Sequence, residues 1–417
     1  MPSDIRRRIV TINSIPDVLP SLEARSADDL GQRLLEVRYQ NIVTKLREGR
    51  EKTAPGVMVT VPDRDVSRFQ SELARQALED HHVHSNALEA KFGTGLSGGD
   101  WFGWLKSTLN WVDREDAHPL LRPTDSSVSE LPEVSRIAMA ADWGTGLYGA
   151  PKIAQQIRKL GPFDLLVHLG DVYYSGTEQE IRERMLGLWP KDAGRITRAL
   201  NSNHEMYSGG FGYFDLEFEA FGQTSSYFAF QNKFWLLVFL DSAYVDHDID
   251  ALQVGWLNTI VSQAGSRKIL LFSHQQLFSR LDSQGPKLLK ALRYLLEAKF
   301  VRGWYWGHEH QCVLYDTHPD YNLTARCLGN GGIPSPRNGL VRSAPAERTV
   351  GPVSWKRLAK TQDSPACLVL DGPNPFIEGE ENMFGPHGFM TLDFNGPVIK
   401  ERVYLADGLE IFAGEIR

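Results

Sequence analysis

The feature that most constrains this chain is a series of short, strongly apolar runs, each ending in polar or ionisable residues. The runs are Ile137–Ala141, Leu165–Leu169, Trp235–Leu240, Lys268–Phe272 and Phe300–Trp306, with a weaker one at Ile196–Leu200. Aliphatic-rich runs of about four to eight residues predict strands buried on both faces. Between them, Ala150–Leu160 and Leu252–Ala264 read as helices, so the chain is expected to be an α/β protein. Open α/β sheets place their sites beyond the C-terminal ends of the strands. There the sequence sets Asp142-Trp143-Gly144, Gly170-Asp171-Val172-Tyr173-Tyr174, Asn201-Ser202-Asn203-His204-Glu205, Ser273-His274 and Gly307-His308-Glu309-His310.

Taken singly, each fragment has an ordinary structural explanation. A strand-end Asp142 or Asp171 can cap a turn, Asn203-His204 can form a tight turn, and His274 can be a hydrogen-bonded core residue. His308-x-His310 is stronger, because residues two apart on an extended segment point the same way. In series, two aspartates, an asparagine and three histidines make a hard-to-borderline ligand set suited to iron, manganese or zinc.

The composition is that of a globular protein, with 42% hydrophobic and 23% charged residues over 417 positions. A net charge of -7 argues against a broad nucleic-acid-binding surface, so positive charge for an anionic substrate must be supplied locally, most simply by metal ions. Arg6, Arg7 and Arg8 are not followed by an apolar stretch, and no run has the length of a membrane span. Three cysteines without a Cys-x-x-Cys spacing make a poor disulfide framework. These features predict a cytoplasmic protein with no membrane association.

Residues 1–130 read as a mainly helical region of unassigned role. Leu35, Tyr39, Ile42, Val43 and Leu46 recur at helical spacing, as do Val66, Phe69, Leu73 and Leu78, with Asp65 a candidate cap. His81, His82 and His84 suit a solvated helix end better than a metal site, and Trp101, Phe102, Trp104 and Trp111 suit packing. Residues 131–417 read as the main domain. The proline-rich, polar stretch 333–385 is expected to be a loop or lid insertion. Asn395-Gly396-Pro397, between Gly388–Phe394 and Val398–Leu405, signals a C-terminal β-hairpin.

The ordered motifs, with Gln253-Val254-Gly255-Trp256-Leu257 on the helix before His274, resemble the calcineurin-like metallophosphoesterase superfamily, and within it the purple acid phosphatase type. The resemblance covers residues 135–335 and the terminal hairpin. It implies a β-sandwich core of two packed sheets flanked by helices, and a dinuclear-metal phosphoester hydrolase in which a hydroxide generated at the metals attacks phosphorus in line. Most of the superfamily has a histidine where this chain has Gly144, and the purple acid phosphatase pattern offers a tyrosine instead, at Tyr174. Carried over by position, Asp142, Asp171, Tyr174 and His310 would hold the first metal. Asp171, Asn203, His274 and His308 would hold the second. Asp171 would bridge, with Asp171 and His204 the catalytic residues, and Asn203 and His204 would contact the phosphate. A tyrosinate implies iron at the first position, with iron, manganese or zinc at the second.

Ser202 stands where the family usually has glycine. The alternatives are a phosphodiesterase or nuclease, for which Arg337, Arg342, Arg348, Lys356 and Arg357 would be the basic residues near the site, and a regulatory binding protein with a vestigial site. Residues 1–130 would be the segment that binds a protein partner.

Overall fold

A computed structural model describes residues 117–377, 379 and 381–417, together with Asn41, Thr44, residues 63–68 and Ser71. The helical pattern read at 35–46, the histidines at 81–84 and the aromatic stretch at 101–111 lie outside the described residues or almost wholly so. Residues 64–68 are helical, and their cap is Asp63 rather than Asp65. The Asp63 carboxylate accepts from the amides of Asp65 and Val66, each at 3.1 Å. An aspartate placed just before the first helical residue can reach those unpaired amides, and one inside the first turn cannot.

Each predicted buried run becomes a strand. Val134–Ala140, Phe163–His168 and Gly194–Ala199 lie parallel in a six-stranded sheet. Trp235–Phe239, Lys268–Phe272 and Val301–Trp306 lie parallel in a ten-stranded one. Their continuous apolarity has a direct cause, since alternate side chains enter two different cores. Ile137, Met139, Leu165, Val167, Leu237, Phe239, Leu270 and Phe272 fill the space between the sheets. Leu236, Val238, Ile269, Leu271, Trp304 and Trp306 face the helices outside the large sheet.

Helix Ala150–Leu160 buries Ala150, Ile153, Ala154 and Ile157, the i, i+3, i+4, i+7 stripe of a helix lying on a sheet. Helix Ala251–Ser262 begins one residue before its predicted start because the Asp250 carboxylate accepts from the Gln253 amide at 2.8 Å.

The hairpin forms as read: Gly388–Asn395 pairs antiparallel with Val398–Leu405, and Gly396 adopts φ 60° between them. It closes against Val134–Ala140 and carries a third strand, Glu410–Ile416, which the sequence reading did not include. The stretch 333–385 does not remain a loop. Strands Ala346–Val350, Val353–Leu358 and Cys367–Asp371 extend the large sheet antiparallel at its edge. The prolines that suggested a loop fall between these strands rather than inside them, where a missing N–H does least damage.

Among the described residues no helix is long and apolar enough to cross a membrane. Leu270 is fully buried between the sheets, so Leu270→Ala should cost about 2–5 kcal/mol of unfolding free energy, read from the denaturant midpoint.

Candidate metal centre

The parallel strands of both sheets deliver their polar ends to one place. Two groups of ligand-type side chains form there, Asp142 with Asp171 and His310, and Asp171 with His274 and His308. Asp171 belongs to both. The backbone is bent sharply to achieve this: Asp142, Asp171, His308 and His310 have φ of 56°, 77°, 68° and 52°. Non-glycine residues in the left-handed region cost of order 1 kcal/mol or more each, and they cluster where side-chain aim matters more than backbone comfort. His308 and His310 therefore converge through a left-handed turn, not through the alternation of an extended strand on which their pairing was first read.

Close approach also explains two glycines. A Cβ at Gly307 would lie 2.5 Å from Asp142 Oδ2. Gly144 has φ 67°, and a Cβ there would meet the backbone of Ile333 at 3.2 Å, so the position is poorly suited to a histidine in this chain.

The atoms fit a pair of cations. His274 Nδ1 lies 2.8 Å from the carbonyl of Leu169, which can only accept. That nitrogen therefore carries the proton, and Nε2 presents a lone pair. His274 Nε2 is 3.2 Å from Asp171 Oδ1, 3.1 Å from Asn203 Oδ1 and 3.3 Å from His308 Nδ1. Asn203 Nδ2 donates to the Tyr207 hydroxyl at 3.0 Å, which fixes the amide with its oxygen toward both histidines. Two imidazole nitrogens, an amide oxygen and a carboxylate oxygen thus meet with few protons between them.

On the other side, Asp142 Oδ1 is buried with no hydrogen-bond partner and lies 3.4 Å from His310 Nε2. Burial and the neighbouring charge of Asp171 push the Asp142 carboxyl well above the usual carboxylate range. Burial would raise Asp171 as well, but His274 and His204 hold it well below that range. Two carboxylates buried this close can both be ionised only with positive charge between them, and otherwise one of them holds a proton.

The phenol nearest the first group is not the one carried over by position. The phenol that enters the first group belongs to Tyr173, with its hydroxyl 2.9 Å from Asp171 Oδ2 and within hydrogen-bond reach of His310 Nε2. Tyr174 instead has its amide bonded to Glu180 Oε1 at 2.6 Å and its ring beneath the Arg184 guanidinium. Burial, with the charges of Asp171 and Asp142, pushes the Tyr173 phenol well above its ordinary pKa, an effect that a cation seated among these groups would reverse.

His204 sits at the rim of the cluster. Its Nδ1 donates to the Tyr174 carbonyl at 2.6 Å, and its ring meets that of Tyr173 edge to face at 3.8 Å. Burial lowers its pKa to about 4. Ser202, the departure from glycine, caps the short helix Asn203–Met206 by accepting from the His204 amide at 3.1 Å, and its hydroxyl contacts both Asp171 Oδ1 and Glu205 Oε2. The serine orders this turn rather than disturbing it. His247 was not singled out from the sequence, yet its ring packs edge to face on His308 at 5.1 Å. No motif surrounds it, so only the fold brings it here.

Residues 135–312 match the model of the calcineurin-like phosphoesterase family. The segment is a calcineurin-like phosphoesterase domain. No curated protein matches the sequence. Among solved structures, the chain is similar to purple acid phosphatase PPD1 from yellow lupin (Lupinus luteus) seeds. The identity is 13% and the TM-score 0.48, over 70% of this chain and 55% of that one. It therefore spans about half the length of the lupin protein. It is also similar to PhoD, with 11% identity and a TM-score of 0.40 over 70% of each chain. A Vps29 single mutant from Entamoeba histolytica has 10% identity and a TM-score of 0.27, over 67% of this chain and 97% of that one.

Proposed function

We propose that the chain hydrolyses phosphoesters with two metal ions, one held by Asp142, Asp171 and His310 and the other by Asp171, Asn203, His274 and His308. The observation that carries this reading is the membership of Asp171 in both ligand groups, which makes it the bridge between two positions. Tyr173 replaces Tyr174 as the phenol of the first position, where a phenolate favours iron, and the second position suits iron, manganese or zinc. When bound, such a pair supplies Lewis-acid polarisation of the phosphoryl oxygens and a nucleophile near neutral pH.

The chain's own residues do the rest. Asn203, fixed by Tyr207, orients its oxygen toward the second position and borders the phosphate. His204 has its Nδ1 proton committed to Tyr174, so Nε2 is the ring position available to substrate. An arriving phosphate raises the proton affinity of that nitrogen and lets it donate to the phosphoryl or leaving oxygen. His204→Ala should lower kcat by about a hundredfold on p-nitrophenyl phosphate with little change in metal content.

The monoester reading is preferred over a nuclease. Of the basic residues near 337–357, Arg337 is paired with Asp371 and Arg357 with Glu347 and Asp316, while Lys356 donates to the Ala344 carbonyl. The two arginines paired with carboxylates are thereby withdrawn from following a nucleic-acid backbone, which leaves Arg342, Arg348 and Lys356 of the five. Three buried cysteines without a disulfide suit the reducing cytoplasm proposed for it. The test is paired hydrolysis of p-nitrophenyl phosphate and bis-p-nitrophenyl phosphate with iron, manganese and zinc supplied separately. Metal-dependent turnover favouring the monoester is expected. Turnover that survives exhaustive chelation would overturn the metal reading, and faster diester cleavage would overturn the substrate class.

A further inference from the structure

Behind the two ligand groups lies a third, on the helix side of the six-stranded sheet. His168, Glu205 and Glu217 each offer one ligand atom, and these atoms lie within 4.8 Å of one another. They come from three separate elements: the end of strand Phe163–His168, the helix Asn203–Met206, and the helical turn Gly212–Glu217. All three are buried, with exposures of 0%, 0% and 1%. Trp143 and Trp189 close over His168 edge to face, at 6.4 and 5.3 Å between ring centroids.

What sets this cluster apart is that its polar atoms are unmatched. Neither nitrogen of His168 nor either oxygen of Glu217 has a hydrogen-bond partner. An imidazole in any protonation state has at least one N–H, and a buried polar group left unpaired costs about 1–3 kcal/mol, more when charged. If the two glutamates shared a proton, a hydrogen bond would join them, and Glu217 makes none. Glu205 is little better served. Its Oε1 accepts from the Val172 amide at 3.2 Å, while its Oε2 shares the single proton of the Ser202 hydroxyl with Asp171. One ion among the three side chains would match one nitrogen of His168 and one oxygen of each carboxylate, the other imidazole nitrogen keeping its N–H. A nitrogen and two carboxylates form a donor set for a divalent ion of borderline hardness, such as zinc or manganese.

We infer that His168, Glu205 and Glu217 form a third cation site, separate from the proposed pair and sealed from substrate by Trp143 and Trp189. Its role is to hold the helical turn Gly212–Glu217 and the helix Asn203–Met206 against the strand that leads to Asp171. Ser202 links it to the paired groups, since one hydroxyl touches both Asp171 and Glu205.

The test uses the full chain dialysed against zinc sulfate and freed of loose metal, with zinc counted per chain by plasma mass spectrometry. Glu217→Gln and His168→Gln should each bind one zinc fewer than the wild type, and a wild-type crystal should show anomalous scattering at the zinc edge between the three side chains. The difference between wild type and variant does not depend on how many ions the paired groups hold. In Asp171→Asn the third ion should remain. Equal zinc in wild type and both variants, with no anomalous peak among the three residues, would overturn the site in favour of a neutral, proton-bearing cluster. Should the variants fail to fold, the presence or absence of the wild-type peak decides the matter alone.

Discussion

Asp171→Asn should reduce kcat/KM on p-nitrophenyl phosphate by roughly a thousandfold or more, and the purified chain should lose metal at both positions of the proposed pair. The magnitude follows from what one side chain does in two places. Metal ions contribute several kcal/mol of transition-state charge stabilisation, and each 1.36 kcal/mol is tenfold in rate. Asp171 stands at 3.2 Å from His274 Nε2 on one side and 2.9 Å from the Tyr173 hydroxyl on the other, so a neutral amide weakens both positions at once.

The substitution keeps the size of the side chain, which matters because Asp171 is 1% exposed and a smaller residue would confound metal loss with a cavity. Asp142→Asn, which touches one group only, should retain more metal than Asp171→Asn. Circular dichroism and the denaturant midpoint would show that the fold survives. A folded Asp171→Asn protein with full metal content and wild-type turnover would remove the bridge, and with it the proposed dinuclear centre.

Much of this architecture was legible because its strands are buried on both faces. Double burial turns a strand into an uninterrupted apolar run, and the residues just past each run then stand out. Helix Ala150–Leu160 was equally legible, since its apolar stripe and the glycine that follows it are both local. What was not legible has a common cause, which is that it turns on geometry the sequence does not encode locally. Tyr173 and Tyr174 are neighbours of the same type, and which one faces inward depends on the φ of Asp171 and the turn after it. The strands within 333–385 exist because the edge of the large sheet is there to receive them, a long-range condition that composition does not reveal. His168, Glu205 and Glu217 sit on different elements, so no spacing pattern connects them.

Replacing the two tyrosines separately turns that ambiguity into a measurement. Tyr173→Phe should lower activity and the affinity of the first position for metal by about ten- to a hundredfold, the range typical for groups that tune a metal site from its edge. With iron loaded, it should also abolish any visible phenolate-to-iron absorption. Tyr174→Phe should preserve the colour and most of the activity, because that ring lies beneath Arg184 while its amide is bonded to Glu180.

The contrast is informative because both substitutions remove the same hydroxyl from adjacent positions of one turn, so a general loosening of the loop would affect both alike. The reverse pattern, colour lost with Tyr174→Phe and kept with Tyr173→Phe, would restore the position-by-position assignment and require the turn after Asp171 to rearrange when metal binds. With zinc there is no colour, and zinc affinity measured by calorimetry carries the same comparison. If zinc affinity is unchanged in both variants, the phenol serves Asp171 and His310 only as a hydrogen-bond partner, and the case for iron at the first position loses its chemical basis.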